Sequence, residues 1–305
     1  MSGMGRRDLL RNSLGVTGAL LGGISYEKKA LMAQLVDQTG YDKAKEPVKG
    51  LQTGKFGQYD VTRLIIGGNL ISGSAHSGEL IYQSALMTHY FNTAKIMETW
   101  ALAEENGINT TLMRADPHIM KHYTMFKREH GGKLQWIATS APEQGDPIEN
   151  AKLARDTGAI GMYLHGGVAD SLVKEKKFEE LGRIIHGIQK TGIMAGVGAH
   201  SVDTARASEQ TKVNPDFYMV TCNHLNYYSS EAADVSVFMH SIKKPWIAFK
   251  VLGAGRMPPE EGFRKAFERG ADFLAVGMFD WQINDDVRMV RDMLAKGIDR
   301  ERVWS

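Results

Sequence analysis

Residues 158–171 read GAIGMYLHGGVADS. An apolar run from Ala159 to Leu164 ends in His165, two glycines and a helix-compatible segment. A short strand buried on both faces and followed by an amphipathic stretch is the repeating unit of a parallel sheet covered by helices. The unit recurs along the chain. Runs of the same kind are RLIIGGN (63–69), INTTLM (108–113), LQWIATS (134–140), MAGVGAH (194–200), FYMVTCN (217–223), WIAFKVLG (246–253) and FLAVGMF (273–279), each leading into an amphipathic segment.

Eight such units in series predict an α/β fold, a single closed (β/α)8 TIM barrel over residues 59–305. The helix punctuation agrees. In GDPIENAKLARDTGA, Asp146 is placed to cap a helix that Pro147 opens and Gly158 stops; in MPPEEGFRKAFERGADF, Pro259 and Gly270 repeat the scheme. Residues 35–58 read as a polar lead-in, or a partial cover for the barrel bottom.

Composition narrows the class of partner. The 305 residues are 43% hydrophobic and 24% charged with a net charge of +2, and no basic face interleaved with aromatics appears, so nucleic acid is not an expected ligand. The single cysteine, Cys222, excludes an internal disulfide and a thiolate-rich metal site. A small molecule, a sugar or another carbonyl compound, is the expected partner.

In barrels of this type, active sites form where strands end and their loops begin. The residues there are Asn69, Arg114 with Asp116, Ser140, His165, His200, Asn223 with His224, Lys250, and Met278 with Asp280. Histidines ending three consecutive strands predict convergence, so His165, His200 and His224 form a candidate divalent-metal set. Asp116 and Lys250 are candidate proton carriers, and Asn69, Arg114 and Asn223 candidate substrate contacts. Lys250 is open to two readings, an imine-forming amine or a charge partner of Asp116. Each group also has a structural alternative: His200 as a hydrogen-bonded framework residue, His224 as a helix cap, His76 as a lid residue or a solvated one.

The chain resembles the aldo/keto reductases. YDVTRLIIGGN is similar to their opening strand, ALAEENGINTTL to their first helix and second strand, and the segment from MYLHGGVADS to GVGAHS to strands four and five; KPWIAFKVLGAG and GADFLAVGM are similar to their last two strands. The resemblance implies that His165 hydrogen-bonds a substrate carbonyl. It also implies an aspartate where this chain has Leu112, a tyrosine where it has Pro117, and a lysine where it has Ser140. The family's proton-donating device is therefore missing, although Tyr123 or His165 itself offers a replacement.

For an NAD(P) cofactor, the resemblance points to the last two strand ends, and Gly253, Gly255, Arg256 and Gly277 are the candidate contacts. Asp280, Asp285 and Asp286 make that end acidic, with Asp286 where the family has an adenine-binding asparagine. Three functions follow as alternatives. They are metal-assisted isomerisation, epimerisation or elimination on a carbohydrate-like carbonyl; NAD(P)-dependent oxidoreduction with a non-standard proton donor; and sugar binding without turnover.

The segment GRRDLLRNSLGVTGALLGGISY (5–26) carries Arg6-Arg7 before an apolar stretch too short to span a bilayer. It resembles a twin-arginine export signal, so residues 1–34 are expected to direct the protein to the periplasm. A plain amphipathic first helix, with the protein retained in the cytoplasm, is the alternative.

Overall fold

The computed structural model describes residues 46–74, 76 and 80–305; the export-like segment 1–34 and the first part of the lead-in fall outside the described residues. An antiparallel pair, β1 (Thr53–Phe56) and β2 (Tyr59–Thr62), comes first. The eight predicted runs follow as β3 (Leu64–Gly67), β4 (Thr110–Arg114), β5 (Gln135–Thr139), β6 (Ala159–Leu164), β7 (Met194–Ala199), β8 (Phe217–Thr221), β9 (Trp246–Phe249) and β10 (Phe273–Gly277). They close a parallel barrel in chain order, and the seam is sealed by β10 against β3, with Leu274 opposite Leu64 and Gly277 opposite Gly67.

Helices alternate with the strands. The caps behave as the sequence indicated: Asp146 accepts from the Ile148 N–H at 2.8 Å, and Gly158 ends the helix Pro147–Thr157 with φ +109°. That backbone conformation strains any residue with a Cβ. One feature departs from a single helix per strand. Two helices follow β3, Gln83–Tyr90 and Thr93–Glu105, and two follow β6, Gly166–Lys174 and Phe178–Gln189. The first helix after β6 begins directly on His165, because Gly166 has no Cβ to meet the His200 ring, whose Cε1 would lie 2.9 Å away.

Strands inside a covered barrel bury both faces, which produces two apolar shells. Ile65, Ile137, Phe217, Ile247 and Phe273 fill the interior, and Trp100, Trp136 and Trp246 pack between strands and helices. Each large side chain so buried contributes roughly 1.5–3 kcal/mol. The second half of the lead-in turns out to be structural. Thr53–Phe56 pairs with β2, Lys55 opposite Asp60, and Phe56 enters the barrel floor with its ring 4.7 Å from Phe217 and 6.2 Å from Phe273.

The floor is stapled beside this plug. Asp272, fully buried just before β10, accepts from Arg302 Nη1 at 2.6 Å and from the Trp246 and Ser305 N–H groups at 2.9 Å. Arg63 donates to the Asp272 carbonyl at 3.0 Å, and its guanidinium lies 3.9 Å from the Trp304 ring centre. With one end closed this way, the opposite rim is left to carry chemistry. No helix among the described residues is long and apolar enough to cross a membrane.

Candidate active site

His165 and His200 each stand one residue past a strand, β6 and β7, and both face the barrel mouth. The His165 backbone N–H donates to Ser140 Oγ at 2.9 Å, so Ser140, buried at the end of β5, positions the neighbouring strand end. His165 Nδ1 accepts from the Gly167 N–H at 3.2 Å. In the neutral ring that bond leaves the proton on Nε2. Burial holds the His165 pKa below the ordinary value, and His200, Arg114 and Lys250 push the same way, so the neutral form prevails at pH 7.

His200 is oriented the opposite way. Asp170, from the helix Gly166–Lys174, accepts from the His200 backbone N–H at 3.1 Å and from its Nδ1 at 2.9 Å, while Thr204 Oγ1 donates to the other carboxylate oxygen at 2.6 Å. A carboxylate on Nδ1 leaves Nε2 of the neutral ring as an acceptor. The ring packs edge-on to Phe249 at 5.6 Å. The mouth therefore presents one imidazole as a donor and one as an acceptor. Beneath them Tyr163 forms the floor, its phenol pushed up to about 12 by burial.

The third histidine of the mouth is His76, from the loop after β3. Its Nε2 is 2.7 Å from Asn69 Nδ2, and Tyr227 Oη donates to its carbonyl oxygen. Burial, then Lys250, His200 and His165, bring its pKa down to about 4. Lys250, one residue past β9, places Nζ 3.2 Å from Nδ1 and 3.1 Å from Nε2 of this ring. In the ring plane an amine equidistant from both nitrogens would overlap Cε1, so Nζ lies over the ring face. Tyr228 and Phe249 flank the amine at 5.3 and 5.6 Å. Burial pushes Lys250 down to about 8.

Several expected roles are corrected. His224 lies three residues past β8, turned away from the mouth with Nε2 3.4 Å from Glu261, in a crevice lined also by Cys222 and Val251. Among the described residues no three His, Cys, Asp or Glu side chains are placed to hold one metal ion, so the set His165, His200 and His224 is not assembled. Asn223 spends both ends of its amide on Tyr227, accepting from its N–H at 2.9 Å and donating to its carbonyl at 3.0 Å. It is buried and closes a turn.

Asp116 caps the helix Pro117–Glu129 through the Ile119 N–H at 2.9 Å and holds Arg114 Nε at 3.3 Å. Its position makes it neither a partner of Lys250 nor a free base. Arg114 is shared between Asp116 and Glu143 at the rim. Tyr123 donates to the Leu134 carbonyl at 2.7 Å between helix and barrel, where burial raises its pKa, and it is no replacement proton donor for the mouth.

At the proposed cofactor end, Gly253 and Gly255 adopt φ +53° and +81° on either side of Ala254 at +56°, a tight turn after β9. Arg256 folds back onto the Gly253 carbonyl at 3.1 Å and stacks 4.1 Å from the Tyr227 ring centre. Asp280 is taken by Tyr90 Oη at 2.6 Å and Lys95 at 3.0 Å, and burial with Asp285 nearby pushes Asp286 up to about 7. Gly277 is exposed at the rim, and a Cβ there would meet only Leu70, at 3.3 Å. The exposed guanidinium of Arg256 thus lies on an aromatic ring, and Pro117 leaves the position of the expected tyrosine without a phenol.

Sequence reasoning missed Asp170, whose only local cue was an acidic residue a few positions after the strand-end histidine. It also left His76 undecided, since a contact across the barrel mouth has no signature in local sequence.

No family model matches the sequence, and no curated protein matches it. Solved structures do. A Pseudomonas aeruginosa protein assigned to the aldo-keto reductases, at 17% identity, covers 82% of this chain and 98% of its own with a TM-score of 0.60. A second structure with the same assignment and organism, at 15% identity, covers 81% and 97%, again with a TM-score of 0.60. An aldo-keto reductase from Bacillus halodurans in its holo form, at 14% identity, covers 84% and 98% with a TM-score of 0.50. The architecture is thus an aldo-keto-reductase-like (β/α)8 barrel. On it sits a mouth built from His76, His165, His200 with Asp170, and Lys250.

Proposed function

We propose that the barrel mouth moves a proton next to the carbonyl of a small hydroxylated aldehyde or ketone, without net redox: an isomerisation, epimerisation or elimination. The observation that carries this reading is the oppositely oriented imidazole pair. His200, with Nδ1 held by Asp170, presents an Nε2 lone pair to take a proton from the carbon beside the carbonyl. His165, with Nδ1 engaged by Gly167, presents Nε2–H to the carbonyl oxygen as charge develops there. Arg114 and Lys250 add positive potential at the same place. A positioned acid and base are worth roughly 100- to 10,000-fold each. Asn69, on the rim beside His76, is a substrate contact in this scheme, and a sugar-like hydroxycarbonyl is the expected class.

The test is proton exchange in D2O, followed by NMR with glyceraldehyde, dihydroxyacetone and aldose or ketose sugars, with and without a chelator. Enzyme-dependent deuterium uptake beside the carbonyl is expected, and His200→Gln should abolish it. The chelator arm decides whether a divalent metal takes part. No uptake with any of these compounds would overturn the reading.

A second reading, NAD(P)-dependent oxidoreduction, is favoured by the fold neighbours, which carry reductase names, one of them in its holo form. It requires a proton donor other than the tyrosine that Pro117 replaces. Saturable stabilisation by NADPH in thermal unfolding would support it through mass action. Stabilisation by a sugar without turnover would favour a binding barrel. Export to the periplasm through Arg6-Arg7 belongs to the same proposal, and suits a protein folded before transport.

A further inference from the structure

Lys250 is held in an unusual way for a surface-loop lysine. Its backbone adopts φ +55°, a left-handed conformation that costs a side-chain-bearing residue of this kind stability and is retained where structure imposes it. The strand end thereby turns the side chain back over the mouth. There Nζ meets the face of neutral His76 and the flanks of Tyr228 and Phe249; among the described residues no carboxylate lies within ion-pair distance of it. Lysines that serve as charge partners are given an anion. Among the described residues, this one meets an uncharged imidazole and two aromatic walls, beside a histidine that presents an N–H donor and another that presents a lone pair.

We infer that Lys250 is a nucleophile that forms an imine with the carbonyl carbon of a small hydroxylated aldehyde or ketone. The inference deepens the reading above, resting on it for the carbonyl substrate alone. The Nζ lone pair forms the C–N bond while the carbonyl π pair moves to oxygen, which takes a proton from His165 Nε2. The nitrogen passes one proton through water back to His165, restoring its Nε2–H, and a solvent proton lets the hydroxyl leave as water while the nitrogen lone pair closes the C=N bond. The balance is amine plus carbonyl plus one solvent proton giving protonated imine plus water, with no oxidant or reductant. The protonated imine then withdraws electrons from the neighbouring carbon, whose proton faces His200.

Burial brings the amine down to about 8 from the ordinary 10.5. At pH 7 about a tenth of it is then the free base, roughly 300-fold more than for an exposed lysine. Borohydride supplies the hydride that makes such an adduct permanent. The folded full-length protein is incubated at pH 7 with glycolaldehyde or dihydroxyacetone and sodium cyanoborohydride, digested and analysed by mass spectrometry. The expected result is modification of Lys250 on the order of 100-fold faster than of the exposed lysines in the same sample, and no modification when a sugar alcohol replaces the carbonyl compound.

Labelling of Lys250 at or below the rate of surface lysines overturns the proposal. Lys250→Arg, with folding checked by circular dichroism, separates the two readings: if deuterium uptake persists at the wild-type rate in this variant, the imine is refuted and the acid–base pair stands. If Lys250 is trapped while no compound shows uptake, the imine is supported and the proton-transfer reading fails.

Discussion

Replacing Lys250 by Met should stabilise the protein while removing its reactivity. The amine titrates at about 8 in the folded chain and at an ordinary 10.5 once unfolded, through burial away from water. The sign follows from proton counting. Between those two values the unfolded chain binds more protons than the folded one, so stability rises with pH across that window. Below about pH 8 both states carry the charge, and the folded state bears the full desolvation cost, about 3 kcal/mol from a shift of about 2.5 units. Met keeps most of the stem and drops the charge, so the variant should gain about 2–3 kcal/mol at pH 7 and little above pH 10.5.

Urea unfolding of wild type and variant at several pH values between 6 and 10.5 measures the difference directly, with equal m-values required. A variant less stable than wild type at pH 7, or a difference independent of pH, would show that the amine is not desolvated as described.

Replacing His165 by Asn leaves an acceptor near Gly167 N–H, so stability should fall by less than about 1 kcal/mol; proton exchange should fall about 100-fold or more. A large drop in Tm with unchanged exchange would make His165 a framework residue. Asp272→Ala strips the carboxylate from buried Arg302 and should cost about 3–5 kcal/mol in chemical unfolding; a loss under about 1 kcal/mol would mean the floor is held by the backbone and ring contacts alone. Changing Arg6 and Arg7 together to Lys should retain the protein in the cytoplasm, since the pair is read by a receptor. Equal periplasmic recovery of both forms in cell fractionation would refute the export signal.

The barrel was legible because a strand covered on both faces must be apolar at every position, and eight such runs stand out from the polar helices between them. The chemistry was legible only in part, for a geometric reason. His165 and His200 each follow their strand by one residue, so the pleat delivers both to the mouth, whereas His224 follows β8 by three and is carried outward by the loop. Where a strand stops is set by the ladder with its neighbour, which one segment's sequence does not contain. Asp116 illustrates a second limit: the same carboxylate that suits a base also suits a helix start, and Pro117 behind it selects the cap. His76 illustrates a third, since only the closed barrel brings the loop after β3 opposite Lys250.

Gly277 gives the mouth a dimension that can be set without touching its reacting groups. It is exposed on the rim at the barrel seam, and the atoms nearest an added Cβ belong to the flexible side chain of Leu70. A methyl group or a larger side chain there would act as a sieve, narrowing entry for branched or long-chain compounds while leaving His165, His200 and Lys250 in place. Under the proposed function, substrate breadth and chemical competence are therefore separable, and a graded series of side chains at one position would tune the former alone.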